Sequence, residues 1–413
     1  MSEIQAPEKK IFGWGKYEFT ILWWSFLIWG LIFLDRLVMP YTAPAVMADL
    51  QITEVQYGLI NAFTTGAYAL SAIFLTGLLE RTGQRKKWLI ILAIGAGAFA
   101  CLGAATQDVW QLLATRAFVG LCEGPIAPLI FAMLLRESSS KRVAVNSGIV
   151  NMGVSVIASL IGAPLVTHIA AAASWRLSFL VPGILSIIVA LLMMRFIKEK
   201  EYLKAEPTES LFATFLKMMK YRNVLISFVL GILTMCVYWT MQLYAVRFFV
   251  EIVGHPLINA GYFVAIHGAV SIVWTVLVPK ISDFIGRKPA LILWFIVVAC
   301  TPFIMYNAPL SFAAVLFYSC FLMTGSIIPY FQAIIPSETL PNYMLGTASG
   351  LILGVSEIVG GSAWPAVAGN IATSNGIPTV ILVAGFAAVA AAVISLFVKE
   401  TRGMKDAVQN ITL

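Results

Sequence analysis

The sequence is poor in charge. Lys, Arg, Asp and Glu make up 11% of its 413 residues, against 60% hydrophobic ones. A soluble domain carries roughly 25% charged and about 45–50% apolar residues. A water-soluble fold of this length is therefore excluded, because it would have too little polar side chain to cover its core. Histidine numbers three, without zinc spacing. The five cysteines (Cys101, Cys122, Cys236, Cys300, Cys320) are scattered singly through apolar stretches. They read as small buried hydrophobes, not as a disulfide framework. No Gly-rich phosphate loop occurs, which argues against a nucleotide-driven pump. No nucleophile–base pair or ligand set is present, so neither an enzyme nor a cofactor or metal is expected. MSEIQAPEKK is not followed by a small-residue cleavage site, and no cleaved signal peptide is expected.

What the chain does have is long apolar runs. About 20 residues of helix cross roughly 30 Å of hydrocarbon. Breaks at Gly, Pro and charge clusters place spans near 19–46, 55–79, 88–106, 109–135, 143–169 and 175–197, then near 223–251, 257–280, 289–306, 309–335, 343–372 and 377–398. The expectation is an all-α integral membrane protein of twelve helices: a bundle over 1–197, a cytoplasmic central loop over 198–222 and a second bundle over 223–413. The central loop begins polar and continues as LFATFLKMMKYRN, which reads equally as an interfacial helix or a tether.

An even number of spans puts both termini on one side. That side collects all of the 27 basic residues except Arg36, Arg116, Arg176 and Arg247, so it is assigned as cytoplasmic. The net charge of +7 is then a property of basic loops facing membrane lipid, and no nucleic-acid partner is implied.

The halves repeat. Glu80-Arg81-Thr82-Gly83-Gln84-Arg85 after the second span matches Asp283-Phe284-Ile285-Gly286-Arg287-Lys288 after the eighth. Gly124, Pro128 and Glu137 match Gly325, Pro329 and Glu338, and Val154-Ser155 and Pro164 match Val355-Ser356 and Pro365. Parallel six-span repeats with a site between them build one large transporter fold. The acid-x-x-Gly-basic loops resemble the signature loop of the major facilitator superfamily, over nearly the whole chain. The first copy departs from it at Thr76, Glu80 and Gln84, and the second at Pro279. The resemblance implies the major facilitator fold, with Glu80, Arg81, Gly83, Arg85, Asp283, Gly286, Arg287 and Lys288 as gating loops. Glu80 and Asp283 would meet neighbouring arginines and helix N-termini there.

Charges inside the membrane need a reason, since each costs at least about 2.5–3.5 kcal/mol on insertion scales. The first span holds Asp35-Arg36, the fourth Arg116 and Glu123, and the eleventh Glu357. At about 1.5 Å per residue, Asp35 lies about 21 Å into its span, past the midplane. Arg116 lies roughly 6 Å and Glu123 roughly 17 Å in from the other side. Asp35, Arg36 and Arg116 therefore sit at comparable heights with Glu123 nearer the centre, as a cavity-facing cluster or as permanent pairs that fix packing. The Asp-Arg pair with Arg-x6-Glu resembles the anion:cation symporter family, which includes sugar-acid/proton symporters, sialin and the vesicular glutamate transporters. That resemblance implies that Arg36 binds the substrate carboxylate, that Asp35 and Glu123 carry protons, and that Arg116 partners one or both. The single aspartate, and Val237-Tyr238-Trp239 where the glutamate branch has an arginine, depart from two branches of the family. In chemical terms, an arginine fork matches a carboxylate. Burial and an arginine neighbour act in opposite senses on an acid, so such a group can titrate near working pH.

Weaker candidates are His267, as relay, donor or packing group, and Glu357, as a cavity acid or a hydrogen-bonded neutral one. Tyr238, Trp239, Gln242 and Tyr244 either shape the substrate site or pack. Arg247 and Glu251 read as a local ion pair. The reading is a monomeric secondary transporter in a bacterial inner membrane, both termini cytoplasmic, importing a small organic anion with protons. Substrate-binding residues would be Arg36, Tyr238, Trp239, Gln242 and His267; proton-coupling residues would be Asp35, Glu123, Arg116 and Glu357. The alternatives are a proton-coupled drug or metabolite exporter and a non-transporting receptor of the same fold.

Overall fold

The computed structural model describes residues 10–11, 14–139, 142–198, 211–307, 319, 322–341 and 344–402. Among these, eleven helices are long and apolar enough to cross a membrane. They are α1 (Lys16–Leu50), α2 (Glu54–Leu79), α3 (Arg85–Gly103), α4 (Val109–Glu137), α5 (Val145–Ala172), α6 (Trp175–Phe196), α7 (Arg222–Ile252), α8 (Leu257–Ile285), α9 (Arg287–Tyr306), α11 (Thr347–Asn375) and α12 (Ile377–Ser395). Of the tenth expected span, residues 309–318 and 320–321 lie outside the described residues. Its remainder, α10, runs through Thr324–Pro329, Tyr330–Ile334 and Ile335–Thr339. A short helix, Leu211–Met218, occupies part of the central loop.

The helix ends follow from local chemistry. Thr53 caps α2 in a reciprocal box with Gln56. Asp108 caps α4 through the N–H groups of Trp110 and Gln111, and Ser174 caps α6. α8 stops at Gly286, whose φ of 99° is reached at little cost only without a side chain.

Helices pack within each half as the repeat requires. α3 lies on α6 and α9 on α12; α1 lies on α6 and α7 on α12. Across the halves, α2 packs on α11 and α5 on α8, with α1 on α7. Exchanging the halves maps the first of these contacts onto the second, as expected of a pseudo-two-fold fold. The repeat extends to an irregularity: wide π-type turns occur at Val154–Gly162 in α5 and Glu357–Ala363 in α11, the same point of each half. Such turns recur at functional positions.

The halves are closed on the side away from the termini. There, a Cβ on Gly58 of α2 would lie 2.4 Å from the Pro365 carbonyl, and one on Gly369 of α11 would lie 2.5 Å from that of Glu54. Tyr57 donates across the halves to the Leu243 carbonyl at 2.8 Å. Nearer the terminal side, Gly77 of α2, Gly148 of α5 and Gly350 of α11 face open space.

Candidate functional site

Two close approaches position the charges. Gly120 and Gly124 of α4 lie against α2 so tightly that a Cβ would meet the Thr64 carbonyl at 2.1 Å and the Tyr68 carbonyl at 2.3 Å. The helix then breaks between Glu123 and Ile126, at Gly124-Pro125. Pro40 lies inside α1 and offers no N–H to the carbonyl four residues back, that of Arg36.

Arg116 donates to Asp35 twice, at 2.9 Å from Nη1 to Oδ1 and at 2.7 Å from Nη2 to the backbone carbonyl. Both side chains are buried. The shared height expected of these two groups is thus a direct ion pair. Glu123 is fully buried, and neither of its oxygens has a hydrogen-bond partner among the described residues. It stands in the field of the Asp35 carboxyl and of Arg36 and Arg116. The second oxygen of Asp35 is likewise unpartnered.

Arg36 is held differently. Its guanidinium lies 4.0 Å from the centre of the Tyr68 ring, 4.8 Å from that of Trp239 and 5.4 Å from that of Phe33. Cation–π contact holds the guanidinium among these rings. Arg36 makes no salt bridge among the described residues, and its Nη2 is buried without a partner. Glu357 faces it from α11 and accepts a hydrogen bond from Trp239 Nε1 at 3.0 Å. The sequence alone offered Glu357 no basic partner; its neighbour in space is Arg36, on the opposite half.

The remaining candidates extend the site into the second half. Tyr238 packs edge-on to Trp239 at 5.5 Å, one helical turn before Gln242. Gln242 and His267 line one small cavity with Tyr41, Met241, Val264 and Leu322. His267 Nε2 lies 3.3 Å from Ser271 Oγ. Tyr244 lies apart from this cluster, edge-on to Tyr57 and beside Arg247.

Arg247 is more than half of a local pair. It meets Glu251 at 2.7 Å and also forks onto Glu54 of α2, at 2.6 and 2.5 Å. It ties the halves together on the closed side. Glu54 escaped the sequence reading, because an acid beside a loop 193 residues from its partner carries no signal.

The loop residues form networks on the terminal side. Arg287 binds Asp283 at 2.5 Å and Glu338 at 2.9 Å, all within the second half. The acid at the N-terminus of α9 is Glu400, beyond α12, and not Asp283. Glu400 accepts from the N–H groups of Arg287 (2.8 Å) and Lys288 (3.0 Å). Gly286 is required beside it, since a Cβ would lie 2.6 Å from a Glu400 oxygen. In the first half Gly83 has a φ of 72°. The hydroxyl of Thr82 there accepts from Trp88 Nε1, and Arg81 is exposed. Arg85 opens α3. The side chain of Glu80 lies outside the described residues.

Two helical halves related by a two-fold, enclosing opposed buried charges at mid-depth, define a carrier that moves a solute between them. Residues 24–365 match the Major Facilitator Superfamily, and the chain belongs to that superfamily. It is a transporter protein, not an enzyme. It is similar to the hexuronate transporter of Bacillus subtilis, 29% identical over 194 residues. That match covers 46% of this chain and 46% of the relative, so the aligned stretch is about half the length of either. It is also similar to an MFS-type efflux pump of Mycolicibacterium smegmatis, 24% identical over 363 residues, or 84% of this chain and 83% of that one. Among solved structures, a bacterial homolog of the human lysosomal transporter Spinster, in an inward-facing and occupied conformation, superposes with a TM-score of 0.76. It shares 16% identity over 92% of this chain and 96% of that one, a likeness of fold alone.

Proposed function

We propose that the protein imports a small organic anion, a sugar acid or another carboxylate, together with protons, by alternating access of its two halves. The observation that carries this reading is the unpartnered Nη2 of the buried Arg36. A guanidinium desolvated between aromatic rings, with part of its fork unused, is a receptor for a carboxylate. Asp35 and Glu123 are the proton carriers: Arg116 is already matched by Asp35, and Glu123 has two idle oxygens beside them. An anion entering without a proton would add uncompensated charge to a buried site. Similarity to a hexuronate transporter favours the same substrate class. The protein would sit in a bacterial inner membrane with its basic, terminal side in the cytoplasm, which makes the structure inward-facing.

Similarity to an efflux pump over most of the chain favours a second reading, export by proton antiport through the same acids. Uptake and counterflow in proteoliposomes distinguish the two. With an inward proton gradient, the wild type should accumulate D-galacturonate or another carboxylate from a tested panel. Glu123→Gln should lose accumulation and keep counterflow. Intact proton-driven accumulation in Glu123→Gln removes it as the coupling acid. Stabilisation of the purified protein by cations or neutral amphiphiles, and by no carboxylate at either of two pH values, sinks the organic-anion reading.

A further inference from the structure

Three carboxyls and two guanidiniums share the site. Asp35 is paired with Arg116 through one of its oxygens. That leaves Arg36 with two acids, Glu123 on its own half and Glu357 on the other. Glu357 is held in place from three directions. Trp239 Nε1 donates to its Oε2 at 3.0 Å, the wide turn at Glu357–Ala363 sets the direction of its side chain, and Gly361 leaves it room. A Cβ on Gly361 would lie 2.3 Å from that same oxygen and 2.8 Å from Trp239 Nε1. The ring whose N–H fixes Glu357 also stacks on Arg36 at 4.8 Å. Arg36 and Glu357 thus share one scaffold across the seam between the halves, yet they do not close into a salt bridge.

From this we infer that Glu357 is the internal stand-in for substrate: the counter-ion of Arg36 while the carrier is empty, displaced electrostatically when a substrate carboxylate arrives. This rests on the organic-anion reading above and assigns the second half a proton site of its own. The titratable and charged groups around Glu357 are Arg36 from α1, Tyr68 from α2, Tyr238 from α7 and, across Arg36, Glu123 from α4. Arg36 is the only cation among them. With Glu123 protonated and Glu357 ionised, the empty site is neutral. A monoanion bound to Arg36 makes it negative by one charge unless Glu357 takes a proton. That proton comes from bulk water on the side of entry and returns to bulk water on the side of release. Neutral Glu357 keeps the Trp239 bond at its carbonyl oxygen and turns its hydroxyl into a donor. On release it ionises again and re-engages Arg36, which lets the empty halves return.

The test measures proton uptake on binding D-galacturonate, or whichever carboxylate from the panel stabilises the wild type, in weakly buffered detergent solution. Binding affinity is followed against pH in the same samples. Glu357→Gln should bind about tenfold more tightly, take up one proton fewer per anion and keep counterflow while losing net proton-driven uptake. Trp239→Phe keeps the ring over Arg36 and removes the N–H. It should move the pH midpoint of binding by about one unit, and it stands in if Glu357→Gln does not fold. A wild-type proton count and pH profile in both variants overturns the inference. So does loss of binding in Glu357→Gln, which would make Glu357 a substrate contact instead of a competitor. A wild type that binds no carboxylate defeats the organic-anion reading itself; carboxylate binding by the wild type with unchanged variants defeats only the stand-in.

Discussion

Arg36 and Arg116 are the same residue type at the same depth, and their surroundings divide the labour between them. Arg116 spends two N–H groups on Asp35, one on its carboxylate and one on its backbone, so it fastens α4 to α1. Arg36 is stacked on rings and keeps a donor idle. Removing Arg116 leaves the buried Asp35 charge without its partner, a loss of about 3–5 kcal/mol where no relaxation relieves it. Arg116→Ala should therefore lower the melting temperature of the detergent-purified protein markedly; a wild-type melt would mean the pair does not hold the helices. Arg36→Lys keeps the charge and loses the planar fork and the stacking. It should melt close to the wild type and bind carboxylate at least about tenfold more weakly. Equal loss of stability in both variants would contradict this division.

At the scale of elements, the apolar spans were legible because hydrocarbon tolerates little else for 20 residues. The repeat between the halves was legible because Gly, Pro and acidic residues recur at one offset along the chain, whatever each meets in space: Gly124 lies tight on α2, and its counterpart Gly325 faces open space. Depth counting along α1 and α4 brought Asp35 and Arg116 to one level, and they pair. Three things were not legible. Hydrophobicity does not register a change of helical pitch, so the wide turn that presents Glu357 left no mark. Glu54 and Glu400 lie at the ends of spans, where acids are cheap and common, and only the fold reveals what they touch. Glu400 shows how much such an acid can do. Burial works against its ionisation, but N–H donation from Arg402, Arg287, Lys288 and Thr401 outweighs burial and holds its carboxyl below the usual range. A depressed value in the folded state means that the stabilisation is present above the unfolded value, about 4.3. It is lost as pH falls through the folded one. The gap in melting temperature between wild type and Glu400→Gln should accordingly be open at neutral pH and close in acid. A gap independent of pH would show that the carboxylate charge is not what binds the end of α12 to the start of α9.

At the scale of the whole molecule, one side of the carrier is sealed by contacts that must all part for the other conformation to form. Backbone lies on backbone where α2 meets α11 at Gly58 and Gly369, and such close packing is cheap to form and sheds no charge when it opens. The Arg247 clamp is different in kind. Its guanidinium is 2% exposed and engages Glu54 of one half and Glu251 of its own. Opening therefore takes Glu54 off the arginine but leaves Glu251 on it, so the charge is never stranded. The clamp then sets an equilibrium instead of blocking it, and each 1.4 kcal/mol, about one interaction of this kind, changes the ratio of the two states roughly tenfold. Arg247→Gln removes the attraction and leaves two acids facing each other, which favours separation. Spin labels at Trp110→Cys and Ile252→Cys, both exposed at the sealed side, one in each half, should report a single short distance in the parent protein. The Arg247→Gln background should add a longer population, and Glu251→Gln, which leaves the bond to Glu54 intact, should add far less. Identical distance distributions in all three would mean that the apolar seam alone, without the clamp, decides which way the carrier faces.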